Sequence, residues 1–540
     1  MHLKFSLLLN LVLSLQFIFA QPDIRFNPFD WNLYGKPGSI NSISFGDRYA
    51  FIGTTGAGVL RFNINTNRFE EPISIAQGLS TNFVTAVHYA KNGMIWVATT
   101  LGLQYSFSGY GDWRRVSLES IGIPRNNFIN RLGDDGKDIW VESLGMLFRL
   151  DGGTGIPIET MTMQNKNISW SSSANSSYID FSELMFDYTI MDGWMSTLNE
   201  LINPEGENVR ITTIAENSFN KIIIGCQDGT IFVANKNIRI LEPYKFGLSS
   251  KDVFSFDGNG SFWVGGRSYG STSGLSYVDI NRNIFDHFYF RNILNVDETP
   301  IFSILNDKKM VFFGGEENII TYSKRKDSWR QIYLTSGVRK NFVKDMVNIN
   351  DRLWIATPNG IQIIDIKTSE IIENDVTDLF KNIYINDLLE HRDDVFIATQ
   401  SGLFIYNHKN DVLYDYNDFG YKDSLFVPPS AQISFSAIAK HKSDIYFSTT
   451  ESILKLNLTN RKWTNSVSSV IYSGKEVVDF VVDKNDFFIA TYDMLIHFDK
   501  QNNLPEYFNY NFLSNINKLN IDFRKLWIGT SEGIISYRYK

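Results

Sequence analysis

A short pattern recurs along this 540-residue chain at a spacing that few folds can use. A large apolar residue is followed by a second apolar residue, a small residue, and then Thr or another small residue, before a turn and a further apolar run. It reads Phe51-Ile52-Gly53-Thr54, Trp96-Val97-Ala98-Thr99, Trp140-Val141-Glu142-Ser143, Ile223-Ile224-Gly225-Cys226, Trp263-Val264-Gly265-Gly266 and Phe312-Phe313-Gly314-Gly315. It continues through Trp354-Ile355-Ala356-Thr357, Phe396-Ile397-Ala398-Thr399, Tyr446-Phe447-Ser448-Thr449, Phe488-Ile489-Ala490-Thr491 and Trp527-Ile528-Gly529-Thr530. The period of about 42 residues is that of a propeller blade, and helical repeats of similar length would carry a 3.6-residue apolar period instead. The interval from Trp140 to Ile223 is about twice as long, so a twelfth, degenerate unit is expected between Asp151 and Asn220.

Each unit reads as four strands. An alternating run such as Phe302-Ser303-Ile304-Leu305 comes first, then a polar turn such as Asp134-Asp135-Gly136-Lys137 or Asp257-Gly258-Asn259-Gly260, whose residues accept the positive φ of a tight hairpin. The signature strand follows. Its two leading apolar residues point to opposite faces, so both faces must be covered, as they are in a blade held between two others. The next turn carries Gly58, Gly102, Gly145, Gly229, Gly274, Gly360, Gly402 or Gly533 in eight of the eleven copies. A third strand such as Ile361-Gln362-Ile363-Ile364-Asp365 follows, and Trp113, Trp329 and Trp463 mark the fourth, outer strand.

The last unit ends at its third strand, Ile534-Ile535-Ser536-Tyr537, while Trp31-Asn32-Leu33-Tyr34 stands alone ahead of the first unit. Pairing them completes one blade from both termini and removes two sheet edges. The fold expected is therefore an all-β propeller of about twelve four-stranded blades in two rings, since single rings hold four to eight. The expected division is residues 1–20 as signal peptide, 21–245 as N-terminal blades including an irregular insertion at 151–208, and 246–540 as C-terminal blades. The last blade is completed by residues 28–36, and one ring interrupts the other at a point the sequence does not locate.

Met1-His2-Leu3-Lys4, the apolar stretch from Phe5 to Phe19 and the small Ala20 have the order of a secretory signal cleaved after Ala20. The apolar stretch is shorter than the roughly 20 residues of a spanning helix, so the mature chain is expected outside the cytoplasm without a transmembrane segment. The net charge of −8 and the absence of a basic run argue against a nucleic-acid partner. Cys226 is the single cysteine, which rules out an intramolecular disulfide and leaves packing to hold the fold. It occupies the small fourth signature position, so it is expected to be buried and inert.

The signature resembles the two-component regulator propeller repeat, most closely at Trp527-Ile528-Gly529-Thr530-Ser531-Glu532-Gly533-Ile534 and Trp354-Ile355-Ala356-Thr357-Pro358-Asn359-Gly360-Ile361, and the resemblance runs from about Ser39 to Lys540. It implies the periplasmic sensing part of a hybrid histidine kinase that recognises glycans, although no kinase or receiver segment follows here. A similar pair of propellers occurs in a surface component of the type IX secretion translocon, whose C-terminal sorting domain is missing from this sequence. Neither precedent transfers a named residue.

The seven histidines show no pair at metal-ligand spacing, and no cofactor or metal is expected. In propeller lyases and hydrolases histidines from different blades converge on the channel, and the first-strand position of His88 singles it out as a participant, but nothing in the sequence selects its partners. Glu142 breaks the small-residue rule at the third signature position, which places it at a solvated edge or against a ligand. The repeat is lost from Asp151 to Asn208, where Ser, Asn and aromatic residues gather. Trp170, Tyr178 and Trp194 are the candidate ligand-binding residues, because excursions from a rigid scaffold tend to carry recognition. The functional expectation is an exported, non-catalytic sensor or scaffold that holds a glycan or an envelope protein. The alternative is a carbohydrate-active lyase or hydrolase with its site at a channel. Three or more acidic or His groups converging there would favour catalysis, and an aromatic-lined groove would favour binding.

Overall fold

The computed structural model describes residues 26–162, 167–174, 187–197, 200–267 and 274–539. They form eleven sheets, ten of them built on four antiparallel strands consecutive in the chain. We number the sheets by their inner strands: Ile40–Phe45 (sheet 1), Val84–Tyr89 (2), Arg131–Asp134 (3), Asn208–Glu216 (4), Val253–Asn259 (5), Ser303–Asn306 (6), Asp345–Ile349 (7), Ile385–His391 (8), Ala437–His441 (9), Asp479–Asp483 (10) and Lys518–Asp522 (11).

The signature is the second strand of every sheet, and its chemistry follows from where it sits. Trp354, Ile355, Ala356 and Thr357 are all buried, as alternating faces covered on both sides require. The threonine closes the turn that follows. Thr357 Oγ1 donates to the Gly360 carbonyl at 2.9 Å and accepts from the Asn359 N–H at 3.1 Å, and Thr399 and Thr530 repeat the pair with Gly402 and Gly533. Gly533 has a φ of +134°, and a Cβ there would lie 2.5 Å from the Tyr34 carbonyl oxygen, so both conformation and space call for glycine.

The small third position is dictated by the neighbouring sheet. A Cβ on Gly53 would lie 2.8 Å from Val84, on Gly265 2.5 Å from Ile301, and on Gly314 2.5 Å from Val343. In each case the contact is with the chain entering the next sheet. At two glycines it runs backwards: a Cβ on Gly225 would meet Ile40 at 2.4 Å, and one on Gly529 would meet Val253 at 2.9 Å. Hydrogen bonds follow the same path, from Thr212 Oγ1 to the Ile40 carbonyl at 2.6 Å and from Asn517 Nδ2 to the Val253 carbonyl at 2.8 Å. Sheet 4 therefore packs on sheet 1 and sheet 11 on sheet 5, giving two closed circles, sheets 1 to 4 and sheets 5 to 11.

The expected pairing of the two ends is present. Trp31–Tyr34 runs antiparallel to Gly533–Arg538, with Trp31 opposite Tyr537 and Tyr34 opposite Ile534. Trp31 is 2% exposed, stacks on Tyr537 at 4.1 Å and meets Phe508 and Phe512 edge-on. The outer strand of sheet 11 thus comes from the chain ahead of sheet 1.

The first circle closes differently. Between sheets 3 and 4 runs a segment from the region where the repeat is lost. Ser169–Trp170 pairs with the inner strand of sheet 3, and Ser172–Ser173 pairs with that of sheet 1. The described remainder of residues 151–207 supplies the outer strand of sheet 3 and short strands joined to sheet 4. No separate twelfth sheet is present among the described residues, and 163–166, 175–186 and 198–199 lie outside them. The signal-peptide residues 1–20 also lie outside. Among the described residues no helix is long and apolar enough to cross a membrane.

Candidate functional site

Three openings bring polar side chains together. The first is a cavity of about 1050 Å³ at the centre of the four-sheet circle. Ser169–Ser172 form one wall of it, and the serines from 171 to 173 reach all four sheets. Ser172 Oγ accepts from the Ile43 N–H at 3.2 Å and from Thr213 Oγ1 at 2.8 Å, and Ser173 Oγ donates to the Asn130 carbonyl. Ser171 Oγ lies 2.7 Å from His88 Nδ1, and His88 Nε2 lies 2.8 Å from Asp134 Oδ2. His88 and Asp134 are each 4% exposed, and Ser171 is 9% exposed. Burial presses the Asp134 carboxyl toward its neutral form. The hydrogen bonds from His88 and the Gly136 N–H outweigh it and hold the group below the usual carboxylate range.

The partners that the sequence could not choose for His88 are thus Asp134 and Ser171. The Ser-rich run is a centrepiece of the circle: small hydroxyls satisfy backbone groups where four inner strands converge. Trp170 lines this cavity, and the Arg131 guanidinium lies 4.2 Å from its ring centre. Arg131 also pairs with Glu142, so Glu142 stands at a third signature position where the next neighbour is this segment rather than a regular sheet. Trp194 is 5% exposed and packs edge-on against Phe232 at 4.9 Å in the core of sheet 4, a position that withdraws its ring from solvent. Tyr178 lies outside the described residues. Cys226 is fully buried and burial raises its thiol well above the ordinary range, so the inert thiolate-poor form dominates.

The second opening is the channel of the seven-sheet circle, about 690 Å³. Asp345, Asp387, Asp479 and Lys518 occupy one repeat position on the inner strands, each facing the third signature residue of its own sheet, at Ala356, Ala398, Ala490 and Gly529. The carboxylates bind neighbouring sheets together. Asp345 accepts from the Leu388 N–H at 3.0 Å, Asp387 from the Ile438 N–H at 2.6 Å, and Asp479 from the Leu519 N–H at 2.7 Å. Asp257, read from the sequence as a turn residue, is part of the inner strand and accepts from the Asn306 N–H at 2.7 Å.

Lys518 Nζ lies 3.5 Å from Asp479. The carboxylate of Asp479, and after it those of Asp387, Asp345 and Asp257, hold this ammonium firmly protonated. Burial raises Asp387 well above the carboxylate range, helped by the charge of Asp345 and a hydrogen bond between the two carboxyls. Burial also raises Asp479, against the pull of Lys518. Sequence reasoning missed this set although a signal was present: Asp345, Asp387, Asp479 and Lys518 each stand nine residues ahead of the signature aromatic. Among the described residues no three His, Cys, Asp or Glu side chains gather to hold a metal ion.

The third opening is a cleft of about 990 Å³ between the circles. One wall is the loop from Leu79 to Phe83 with Arg115, and the other is the loop from Tyr507 to Phe512 with Phe26. Tyr510 stacks on Phe512 at 5.3 Å and receives the edge of Phe26 at 5.1 Å. Phe83 and Tyr507 are exposed at the rim. Asn82 fastens the first wall: its Oδ1 accepts from the Ile75 N–H at 3.0 Å and its carbonyl from the Gly58 N–H at 3.0 Å. Its buried Nδ2 has no hydrogen-bond partner among the described residues. A Lys251–Glu532 ion pair of 2.8 Å, formed within the larger circle, borders the cleft.

No family model matches the chain, and no curated protein is significantly similar to it. Among solved structures it is similar to the extracellular domain assigned to the hybrid two-component system BT4673 of B. thetaiotaomicron, at 15% identity and a TM-score of 0.40 over 92% of this chain and 70% of that one. The corresponding domain of BT3049 from B. thetaiotaomicron gives 17% identity and a TM-score of 0.39 over 92% and 74%. PorZ, a surface component of the type-IX secretion system of Porphyromonas gingivalis, gives 16% identity and a TM-score of 0.42 over 93% and 74%. The fold assignment above rests on the pairing of the sheets themselves.

Proposed function

We propose that this chain is an exported binding module, a sensor or scaffold of the cell envelope, which holds a glycan in the cleft between its two circles. The observation that carries this reading is the aromatic shelf of half-buried Phe26 and Tyr510, backed by buried Phe512, in one cleft with exposed Phe83. A sugar ring has apolar C–H faces and a rim of hydroxyls. The shelf suits the faces, and polar side chains at the mouth suit the hydroxyls. Exposed Asn509 and Asn511 add amides at the mouth, matching the apolar floor and few convergent polar groups of small-ligand sites.

The test is a glycan array with the chain lacking its first twenty residues, followed by calorimetry on any hit. Tyr510→Ala is expected to weaken binding about tenfold or more, the effect of losing roughly 1.4 kcal/mol, measured under conditions where circular dichroism shows the variant folded. Binding that survives Tyr510→Ala and Phe83→Ala together, or turnover of a polysaccharide without retention at the cleft, would overturn the reading.

A further inference from the structure

The Ser171, His88 and Asp134 constellation in the first circle lies apart from the cleft and does more than the binding reading asks of it. Asp134 is held ionised by two donors, one of them His88 Nε2. An acceptor on that side requires the proton of the neutral imidazole to sit on Nε2, which leaves the Nδ1 lone pair to accept from the Ser171 hydroxyl at 2.7 Å. This is the working arrangement of an activated serine, a base oriented and given its tautomer by a buried carboxylate, with the roles of the two ring nitrogens exchanged relative to the usual order.

The serine is also fixed and reachable. Its N–H donates to the Leu132 carbonyl at 3.0 Å, it stands between two anchored strand pairs, and it borders the 1050 Å³ cavity together with Tyr89, Trp170, Asn92 and Asn217. Lys91 borders the same cavity and its charge is felt at Asp134.

We propose that Ser171 is a nucleophile toward short-chain carboxylic esters. Its Oγ bonds to the acyl carbon while its proton passes to His88 Nδ1. The bond from that carbon to the alcohol oxygen breaks, and the alcohol leaves with the proton from His88. Water, giving a proton to His88 in its turn, attacks the acyl-serine, releasing the acid and restoring the hydroxyl. Asp134 acts through His88 and is a positioning residue.

The experiment uses the whole chain without its first twenty residues, a fluorophosphonate probe with peptide mass spectrometry, and p-nitrophenyl acetate as substrate. The expected result is a phosphonyl adduct on Ser171, lost in Ser171→Ala. Labelling should slow about a hundredfold or more in His88→Gln and Asp134→Asn, and the pH profile of labelling should flatten in the latter. If Ser171→Ala fails to fold, Ser171→Cys keeps the test alive: its thiol should be alkylated by iodoacetamide faster than a free cysteine at pH 7, and slower again once His88→Gln is added. A folded wild type with no adduct at Ser171, or labelling unaffected by His88→Gln, overturns the proposal and leaves the three residues as a structural tie alone.

Discussion

The two circles solve one problem with different means. Seven regular sheets leave an open centre, and the channel is held by carboxylates that take N–H groups from adjacent inner strands, with the Lys518 ammonium among them. Four sheets do not close by the same contacts alone, and the gap between sheets 3 and 4 is spanned by a serine-rich segment that hydrogen-bonds to all four inner strands. The difference shows that the repeat signature encodes the contact between neighbouring sheets, while the number of sheets in a circle is settled by what happens at its seam. In the larger circle the seam is a strand borrowed from the other end of the chain. In the smaller one it is an irregular segment.

The largest expected effect lies at the borrowed strand. Trp31 is nearly fully buried against Tyr537, Phe508 and Phe512, and Trp31→Ala should cost about 3–5 kcal/mol. Because none of those partners belongs to sheets 1 to 4, urea unfolding followed by circular dichroism should resolve into two transitions. The one assigned to the larger circle moves down, and the other stays within about 0.5 kcal/mol. A single transition that shifts as a whole would mean that the circles unfold as one unit.

The third signature position gives a finer comparison. Gly225 meets Ile40 where sheet 4 packs on sheet 1, and Gly225→Val drives side-chain atoms into a space already too short for a Cβ. The expected loss is about 1–3 kcal/mol or more. Glu142 holds the same position in sheet 3 and only pairs with Arg131, both partly exposed, so Glu142→Gln should stay within about 1 kcal/mol. Equal losses at the two positions would contradict the contact assigned to this position.

Those residues also show how far the sequence could be read. The spacing, the small third residue, the threonine and the glycine turn are local consequences of one sheet packing on the next, so every copy repeats them and the all-β propeller class is visible in them. Glu142 was visible as an exception, and it marks the place where a sheet gives way to the serine segment. What that segment does was not visible, because Ser171, Ser172 and Ser173 make their bonds to residues up to 130 positions away, and a serine run of this kind has the composition of a solvated loop. Trp194 failed as a surface candidate for a related reason: an aromatic in an irregular stretch looks available until the sheet that covers it is known. The partition into circles was hidden because backward contacts, Gly225 to Ile40 and Gly529 to Val253, use the same residue types as forward ones.

A last comparison separates two carboxylates that hold the same repeat position in the channel. Asp479 pairs with Lys518, and Asp479→Asn should destabilise by about 1 kcal/mol because a partly exposed ammonium loses the nearest of its carboxylates. Asp387 instead carries a proton that the unfolded chain would release, since burial and Asp345 raise it well above the ordinary range. A folded value above the unfolded one stabilises fully below the unfolded Asp value of about 3.9, and that contribution is lost as pH rises through the folded value. Asn at this position keeps an oxygen for the Ile438 N–H, offers its amide to Asp345, and has no proton to lose. Asp387→Asn should therefore gain on the wild type as pH is raised from 5 to 9, by about 1 kcal/mol or more for each unit by which the native value is displaced within that range. Urea midpoints measured at pH 5, 7 and 9 for both variants decide it: parallel curves for Asp387→Asn and wild type would show that the shared proton is absent and that the channel carboxylates are equivalent.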